Sequence, residues 1–429
     1  MKKGFRTITV PYGAGFQTAE LSSGRPLHIL SPEKREGGPL RDETDILLEA
    51  LKNPIASPPL RELARNKKSA VIITSDHTRP VPSRLTIPLL LKEMREASPE
   101  IDVAVLIGVG CHRASTKEEM IKKFGEELVF RERIINHDPM DEASLVSLGL
   151  LPSGGELRLN RLAVETDLLV ADGFIEPHQF AGFSGGRKSV LPGIAALETV
   201  LASHNAEFTV HPKARPGSLD GNPFQEDMLF AARKVNLAFI LNVTLSEDKR
   251  VSAAFAGDVE AAHLKGCARV LNDSAVKGVV SPVVVTSNGG YPLDQNIYQS
   301  TKSIMQADLV CAEGGVIVAV NECRDGHGSR SFLDSFINAT SLDALIADIE
   351  SRKRDETIPD QWVIQLTASI LRRRRVLMVT GAPENEVAAL GMRKMESLTE
   401  ALEVADSLTG DPDAPVTVLP DAVAVVIKL

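Results

Sequence analysis

The chain has 429 residues, a formal net charge of −9, an average apolar content and few aromatic side chains. A chain of this length can bury a large core and divides into two or three domains, and the composition is typical of a globular protein. The acidic balance argues against nucleic-acid binding, which needs a basic surface. No secretory signal and no apolar run of bilayer length is present, so we expect a cytoplasmic protein with no membrane partner.

The four cysteines are scattered along the chain and include no CxxC pair. Such spacing predicts reduced, mostly buried thiols rather than a disulfide framework or a zinc site. Cys111 stands next to His112, so a thiolate role is conceivable there, although a buried structural thiol is the more common case.

Short β-branched runs alternate with longer amphipathic runs along the chain. This alternation predicts an α/β fold, with mostly parallel sheets covered by helices on both faces. The predicted strands are 71–75, 102–108, 167–173, 238–245, 282–287 and 376–381, and the predicted helices are 83–97, 115–124, 195–206, 258–272, 294–307, 359–374 and 394–408.

The segment 275–282 is a plausible domain junction, because a new series of strands and helices begins there. We expect an N-terminal α/β domain over 1–275 and a C-terminal α/β domain over 276–404. The tail holds two strand-like runs that could return to either domain, and we assign 405–429 to the N-terminal one.

Polar motifs follow the predicted strands, and in parallel sheets ligands bind at the carboxyl ends of strands. In SDHTRP (75–80), Asp76 and Thr78 could cap or brace a turn, and His77 is more typical of a structural residue. Arg79 is harder to explain as structural, because a guanidinium at a strand end suits a carboxylate or phosphate.

The next strand ends in GVGCHRAST (108–116), which places His112 beside the same predicted edge. A single histidine in such a loop is more often structural than catalytic. Gly108 and Gly110 lack the third glycine of a dinucleotide fingerprint, so the motif does not predict an NAD site.

The segment PHQFAGFSGGRKSVLPG (177–193) is the most informative of the chain. It combines His178, a glycine-rich turn and the cations Arg187 and Lys188, and His204 follows on a predicted helix. Glycines let main-chain amides approach an anion closely, so the pattern favours a phosphate-bearing cofactor. An ordinary loop with these residues is the alternative.

A second glycine-rich segment, GGYPLDQNIYQSTKS (289–303), runs into an amphipathic helix. Tyr298 and Lys302 are four residues apart and share a helix face, with Gln299 beside them. These groups suit a hydroxy acid or another small anion, and a solvated helix is the alternative. The chain has no metal-ligand cluster of its own, so any metal would take further ligands from a cofactor.

These motifs and Trp362 together resemble the nickel-pincer lactate racemase family, in that family's order and spacing from about residue 70 to 365. The resemblance implies a two-domain enzyme with Rossmann-like sheets, an N-terminal cofactor-binding domain and an active site in the interdomain cleft. The implied reaction is inversion of C2 of a 2-hydroxy acid, lactate or a larger analogue, by transient hydride transfer through a 2-keto acid.

The cofactor implied by the resemblance is a nickel-bearing pyridinium-3,5-bisthiocarboxylate mononucleotide, which cofactor-biosynthesis proteins would supply. Lys188 would hold it through a thioamide and His204 would be a nickel ligand, while His112 and His178 would be the acid–base pair. The remaining roles would be cofactor binding by Asp76, His77, Thr78 and Arg79, and substrate binding by Arg79, Tyr298, Gln299, Lys302 and Trp362.

Two other functions remain open at this point. A non-catalytic protein could carry or sense the cofactor or bind a hydroxy acid, although it would need neither His112 nor His178 as a base. A conventional dehydrogenase that releases the keto acid is disfavoured by the missing glycine fingerprint.

Overall fold

The structure, a computed structural model of the chain, describes residues 4–32, 41–246 and 248–429. It divides into two compact units. The first contains the described residues of 1–34, 205–210 and 273–429, and the second contains those of 35–204 and 211–272. Each unit has a six-stranded, mostly parallel sheet and helices, which confirms the predicted α/β class.

Each of the six predicted strands and seven predicted helices is present within a few residues of its predicted bounds, and for the helix 83–97 and the strand 102–108 the two sets of bounds coincide; the other strands and helices were not predicted. In chain order, the strands are β1 Phe5–Tyr12, β2 Gly15–Ser22, β3 Leu27–Ile29, β4 Ser69–Ser75, β5 Asp102–Gly108, β6 Arg133–Asn136, β7 Leu145–Leu150, β8 Glu156–Asn160, β9 Leu168–Phe174, β10 Pro177–His178, β11 Gly182–Phe183, β12 Leu237–Leu245, β13 Val251–Gly257, β14 Ala275–Lys277, β15 Ser281–Thr286, β16 Cys311–Val320, β17 Arg375–Val379, β18 Arg393–Met395, β19 Val416–Leu419 and β20 Val426–Lys428. The helices are α1 Glu43–Lys52, α2 Leu60–Leu63, α3 Ser83–Ala97, α4 Lys117–Phe124, α5 Glu126–Arg131, α6 Arg161–Glu165, α7 Leu197–Ser203, α8 Ala206–Thr209, α9 Pro223–Lys234, α10 Ala261–Ser274, α11 Ile297–Asp308, α12 Arg330–Ile337, α13 Leu342–Ser351, α14 Gln361–Leu371, α15 Glu384–Ala389 and α16 Leu398–Thr409.

The sheet of the second unit has the strand order β13-β12-β9-β4-β5-β6, and every pair is parallel except β12–β13. The strands β4, β5 and β9 are nearly continuous apolar runs, because a strand covered on both faces has no solvent side. The chain adds β5 and β6 on one side of β4 and then places β9 on the other. The strand order therefore reverses between β4 and β9, where doubly wound sheets bind ligands.

The sheet of the first unit has the order β18-β17-β16-β15-β19-β3, with parallel pairing throughout. The tail belongs here, whereas we expected 405–429 to rejoin the N-terminal domain. β19 lies between β15 and β3 because Val416 and Val418 are buried in the same core as the valines of β15. A four-residue apolar run does not indicate which sheet it will join.

The four cysteines, all of which lie in the described part of the chain, form no disulfide, and Cys267, Cys311 and Cys323 are buried as expected. Cys111 is exposed, because it lies in the loop that follows β5, so the expectation of a buried thiol is wrong there. Within the described residues, no helix has the length and apolar character needed to cross a membrane.

Arg25 connects the N-terminal segment to the C-terminal helix of the first unit. Its side chain is 3% exposed and donates to both carboxylate oxygens of Asp406, at 2.7 and 3.1 Å. Its Nε also donates to the carbonyl of Ala414 at 2.7 Å. These bonds hold the residues before β3 against α16, which explains why an N-terminal segment lies in this unit.

We expect Arg25→Ala to lower the free energy of unfolding by about 2–4 kcal/mol, because it leaves Asp406 and a main-chain carbonyl without their donors in a largely buried place. The matched control is Arg330→Ala, which removes an exposed pair with Asp334 in the same unit and should leave the free energy of unfolding nearly unchanged. Urea unfolding measures the free energy of unfolding of both variants, and an equal decrease in the two would contradict the structural role of Arg25.

Candidate functional site

Loops at the carboxyl ends of three adjacent strands carry the predicted site residues of the second unit. β4 leads into the segment 76–79, β5 into His112, and β9 into His178 and the turn before Lys188. Because β9, β4 and β5 are parallel neighbours, these loops leave the same edge of the sheet. The sheet therefore collects residues that are more than 100 positions apart in the chain.

His112 is held by a buried carboxylate. Its Nδ1 lies 2.7 Å from Oδ2 of Asp76, which is 2% exposed. Burial alone would raise the pKa of Asp76, but hydrogen bonds from His112 and Thr78 outweigh it and lower that pKa to about 2. The ionised carboxylate accepts the Nδ1 proton, so Nε2 of neutral His112 carries a lone pair.

The rest of this loop is braced by α4. Nδ1 of His77 lies 3.1 Å from Oγ of Ser115, which precedes α4 by two residues. Lys123 donates from Nζ to the carbonyl of Arg79 at 2.9 Å, and burial lowers the pKa of Lys123 to about 8. The guanidinium of Arg79 is exposed and within 3.2 Å of the Thr78 hydroxyl.

Two glycines allow the turn before Lys188 to fold tightly. Gly185 and Gly186 have positive φ angles of 75° and 54°. A Cβ at Gly185 would lie 2.6 Å from the side-chain oxygen of Asn242, and one at Gly186 would lie 2.8 Å from the ring of His263. The Gly186 amide instead donates to Asn242 at 2.7 Å, so the turn is fixed against β12.

Arg187 supports the same turn from inside. It is 1% exposed and donates to the carbonyls of Ala181 and Phe183 at 2.7 and 3.0 Å. Its guanidinium also lies 3.0 Å from Nε2 of His263. Burial lowers the pKa of His263 to about 3, so that ring is neutral. Arg187 was recognised in the sequence as a cation of the motif, but nothing in the pattern indicated His263, which is 76 residues away.

Lys188 and His178 are in direct contact, with Nζ 3.3 Å from Nε2. Nδ1 of His178 accepts the main-chain N–H groups of Phe180 and Ala181, each at 3.3 Å. A nitrogen that accepts carries no proton, so the proton of neutral His178 is on Nε2. Burial, with the charges of Arg187 and Arg79, lowers the pKa of Lys188 to about 7.

His204 ends α7 and is buried beside the aromatic rings of Phe180 and Phe224. Its Nδ1 lies 2.9 Å from the carbonyl of Val200 and donates its proton there, so Nε2 carries the lone pair. Burial and then the charge of Lys188 lower the pKa of His204 to about 4. The ring is therefore neutral at physiological pH, as a metal ligand must be.

The first unit brings together the predicted substrate residues. Tyr298, Gln299 and Lys302 lie on α11, and Trp362 lies on α14, which packs against α11. All four are half-buried. The ring of Tyr298 meets that of Phe332 edge to face, with centroids 5.6 Å apart, so its position is set by the core.

The chain was compared with known families, sequences and structures. Residues 12–217 match the family model for the lactate racemase N-terminal domain, and residues 276–427 match that for the lactate racemase C-terminal domain. The lactate racemases of Thermoanaerobacterium thermosaccharolyticum and Lactiplantibacillus plantarum are 47% and 45% identical to it, each over 98% of this chain and 99% of the relative.

Solved structures agree with these matches. The lactate racemase apoprotein from Thermoanaerobacterium thermosaccharolyticum has a TM-score of 0.95 at 47% identity, covering 99% of this chain and 100% of that one. A Thermotoga maritima protein at 20% identity has a TM-score of 0.65 over 92% of this chain and shares the fold. The two domain matches and the near full-length identity show that the chain belongs to the lactate racemase family and is an isomerase.

Proposed function

We propose that this protein inverts C2 of a 2-hydroxy acid, with lactate as the first candidate, by transient hydride transfer to a nickel-pincer nucleotide tethered to Lys188. The observation that carries the proposal is the grouping at one sheet edge of an Asp76–His112 pair with the buried Lys188, His178 and His204. These five groups supply a base, a proton donor, a metal ligand and a nucleophilic amine.

The residues fit the implied cofactor. His204 is neutral, and its Nδ1 proton is held by a carbonyl, so Nε2 is oriented for a metal in the way that a metal-bound histidine is oriented by the hydrogen bond of its other ring nitrogen. Lys188 presents an amine that is half neutral near pH 7 and can form a covalent link. Nickel(II) accepts an imidazole together with soft sulfur donors, so His204 and the sulfur atoms of the cofactor would form a suitable ligand set.

When bound, the nickel-pincer group would supply an acceptor for the Cα hydride, so no carbanion forms beside the substrate carboxylate. The chain supplies the proton transfers. Nε2 of His112 takes the hydroxyl proton, and the ionised Asp76 stabilises the imidazolium that results. On the opposite face, His178 would give a proton to the oxygen of the turned keto acid from its imidazolium form, which requires Nδ1 to release the main-chain N–H groups of Phe180 and Ala181. The two roles exchange for the other enantiomer.

Cations, an amide and aromatic rings would bind the substrate. The exposed guanidinium of Arg79 can hold a carboxylate in a bidentate manner. Lys302 and Gln299 would add an ammonium and an amide, and Tyr298 and Trp362 would form an apolar wall. Cofactor-biosynthesis proteins would supply the nucleotide.

The carrier alternative is tested by His112→Ala and His178→Ala in cofactor-loaded protein. For a racemase we expect both variants to keep nickel and to lose at least about 10²-fold in kcat, since general acid–base catalysis contributes roughly 10²–10⁴-fold. Chiral chromatography of lactate and a panel of larger 2-hydroxy acids measures turnover. A wild-type protein that racemises none of them would exclude the enzyme.

We expect Asp76→Asn to lower kcat by about 10²–10⁴-fold, because the imidazolium of His112 loses its counter-charge. The control is Asp102→Asn at the opposite end of β5, where the carboxylate is exposed and activity should be unchanged. Turnover and nickel content are measured together. Loss of nickel in Asp76→Asn would show that this carboxylate acts on the cofactor instead.

The cofactor assignment predicts two separable losses in protein from its native host. Lys188→Met should abolish the mass adduct, whereas His204→Ala should keep the adduct and lose nickel, because tether and metal ligand are different groups. The control is His28→Ala, on β3 of the first unit, which should keep both. Intact mass and nickel analysis measure the outcome, and an adduct that persists in Lys188→Met would contradict the assignment.

A further inference from the structure

The side-chain amide of Asn288 bonds to the helix that carries three of the predicted substrate residues. Asn288 follows β15 by two residues and is fully buried. Its Nδ2 donates to the carbonyls of Leu293 and Gln299, at 2.7 and 2.8 Å, and its Oδ1 accepts the main-chain N–H of Ser303 at 3.2 Å. Two carbonyls and one N–H match an amide in this orientation alone, so both donor hydrogens and the acceptor are used.

The two groups of α11 that Asn288 contacts are the two ends of one helical hydrogen bond. In an α-helix, the N–H of residue 303 pairs with the carbonyl of residue 299. Asn288 bonds to both groups and so holds this single turn, which contains Lys302, from the side. A side chain that enters the hydrogen-bond ladder of a helix alters the local direction of the helix. The amide is therefore placed to determine how Gln299 and Lys302 leave α11.

Asn288 and Ser303 belong to a buried polar group that also includes Thr286 and Asn321. The Ser303 carbonyl accepts from the hydroxyl of Thr286 at 3.1 Å. Nδ2 of Asn321 donates to the Ser303 hydroxyl at 3.3 Å, and Oδ1 of Asn321 accepts the Asn288 N–H at 2.9 Å. Thr286 ends β15 and Asn321 follows β16, so these bonds fix the residue next to Lys302 to the carboxyl ends of both strands.

The polar character of this contact needs an explanation beyond the packing of α11. A buried amide costs free energy unless it is bonded, and apolar groups of the same shape can take the place of a bonded pair at little cost. Apolar contacts are not directional, whereas a hydrogen bond weakens steeply when its angle changes. Directional bonds at one turn therefore indicate that the rotation of this turn matters, in addition to its distance from the sheet.

We propose that Asn288 is a positioning residue for substrate binding, and that its amide orients the turn 299–303 so that the amide of Gln299 and the ammonium of Lys302 reach one substrate together. Asn288 itself contacts no reacting atom and acts through these two side chains. The inference rests on the proposed function for the roles of Gln299 and Lys302. It adds a residue that precedes the glycine-rich segment 289–303 to the machinery of that segment.

The test variant is Asn288→Ala in cofactor-loaded, full-length protein, with L-lactate as the probe. Without the amide, the carbonyl of Gln299 and the N–H of Ser303 can pair only with each other, which lets the turn close and moves Lys302. We expect KM to rise at least about 10-fold, because a displacement of about 1 Å can cost up to about 10²-fold. We expect kcat to fall less, because these side chains bind the ground state and the transition state alike.

Thr417→Val is the matched control for stability. Thr417 is also fully buried in the sheet of the first unit, and its hydroxyl bonds to the Val279 carbonyl and the Ser281 hydroxyl, at 2.9 and 2.8 Å, outside α11. The valine keeps the shape and removes a buried hydrogen bond, so we expect a lower melting temperature in both variants. A purely structural Asn288 would then leave KM as unchanged as Thr417→Val does.

Lys302→Met and the double variant Asn288→Ala/Lys302→Met show whether Asn288 acts through α11. If it does, the rise in KM of the double variant should be well below the product of the two single effects, because the second change removes what the first one misplaces. A full product would overturn the proposal, and so would an unchanged KM in folded Asn288→Ala.

Asn288→Asp is the second variant, and it carries the same comparison if Asn288→Ala does not fold. It keeps the size of the side chain and the acceptor for the Ser303 N–H, but an ionised carboxylate cannot donate to the carbonyls of Leu293 and Gln299. Unfolding of both variants would assign Asn288 to the fold alone and overturn the positioning role.

Lactate binding separates this inference from the proposed function. If the wild-type protein racemises no 2-hydroxy acid, the proposed function fails, and isothermal titration calorimetry with L-lactate should still show weaker binding in Asn288→Ala and the same non-additivity with Lys302→Met. Equal lactate affinity of wild type and Asn288→Ala would overturn the positioning role and leave a racemase standing where turnover is measured. A wild-type protein that neither racemises nor binds lactate would overturn both.

Discussion

The hydrogen-bond partner of Nδ1 in each imidazole of the site determines whether Nε2 carries a proton or a lone pair. Nδ1 of His112 is held by the carboxylate of Asp76, and Nδ1 of His204 by a main-chain carbonyl, so both offer a lone pair at Nε2. Nδ1 of His178 instead accepts main-chain N–H groups, which places its proton on Nε2. In the proposed function these imidazoles would be a base, a metal ligand and a second acid–base group, because different partners fix their protonation patterns.

Burial of cationic groups also determines the protonation of the site. Arg187 is almost fully buried and holds the turn through carbonyls, and the turn delivers Lys188 beside His178. The same burial disfavours a proton on Lys188 and on His204. The proposed covalent tether and metal ligand both need neutral groups, and burial disfavours their charged forms without further side chains.

The sheet supplies the rigidity that these loops need. The site lies where the strand order of the second unit reverses, between β4 and β9, so loops from distant parts of the chain begin at fixed neighbouring points. The proposed two-base reaction fits this arrangement, since it would need acid–base groups from separate loops. The half-buried residues of α11 and α14 rest on the core of the first unit, which gives them comparable order.

The sequence by itself determined the elements and the chemistry-bearing residues. Hydrophobic periodicity predicted the α/β class and six strands of the two large sheets, because burial on both faces leaves a local pattern, and the spacing of the motifs singled out His112, His178, Lys188 and His204 as candidates. Only the tertiary structure decided the partners. Asp76 is 36 residues from His112, and His263 is 76 from Arg187, and no local pattern encodes such contacts. The assignment of the tail to the first unit was likewise decided by packing, because an isolated apolar strand fits any open sheet edge until the surrounding core selects one.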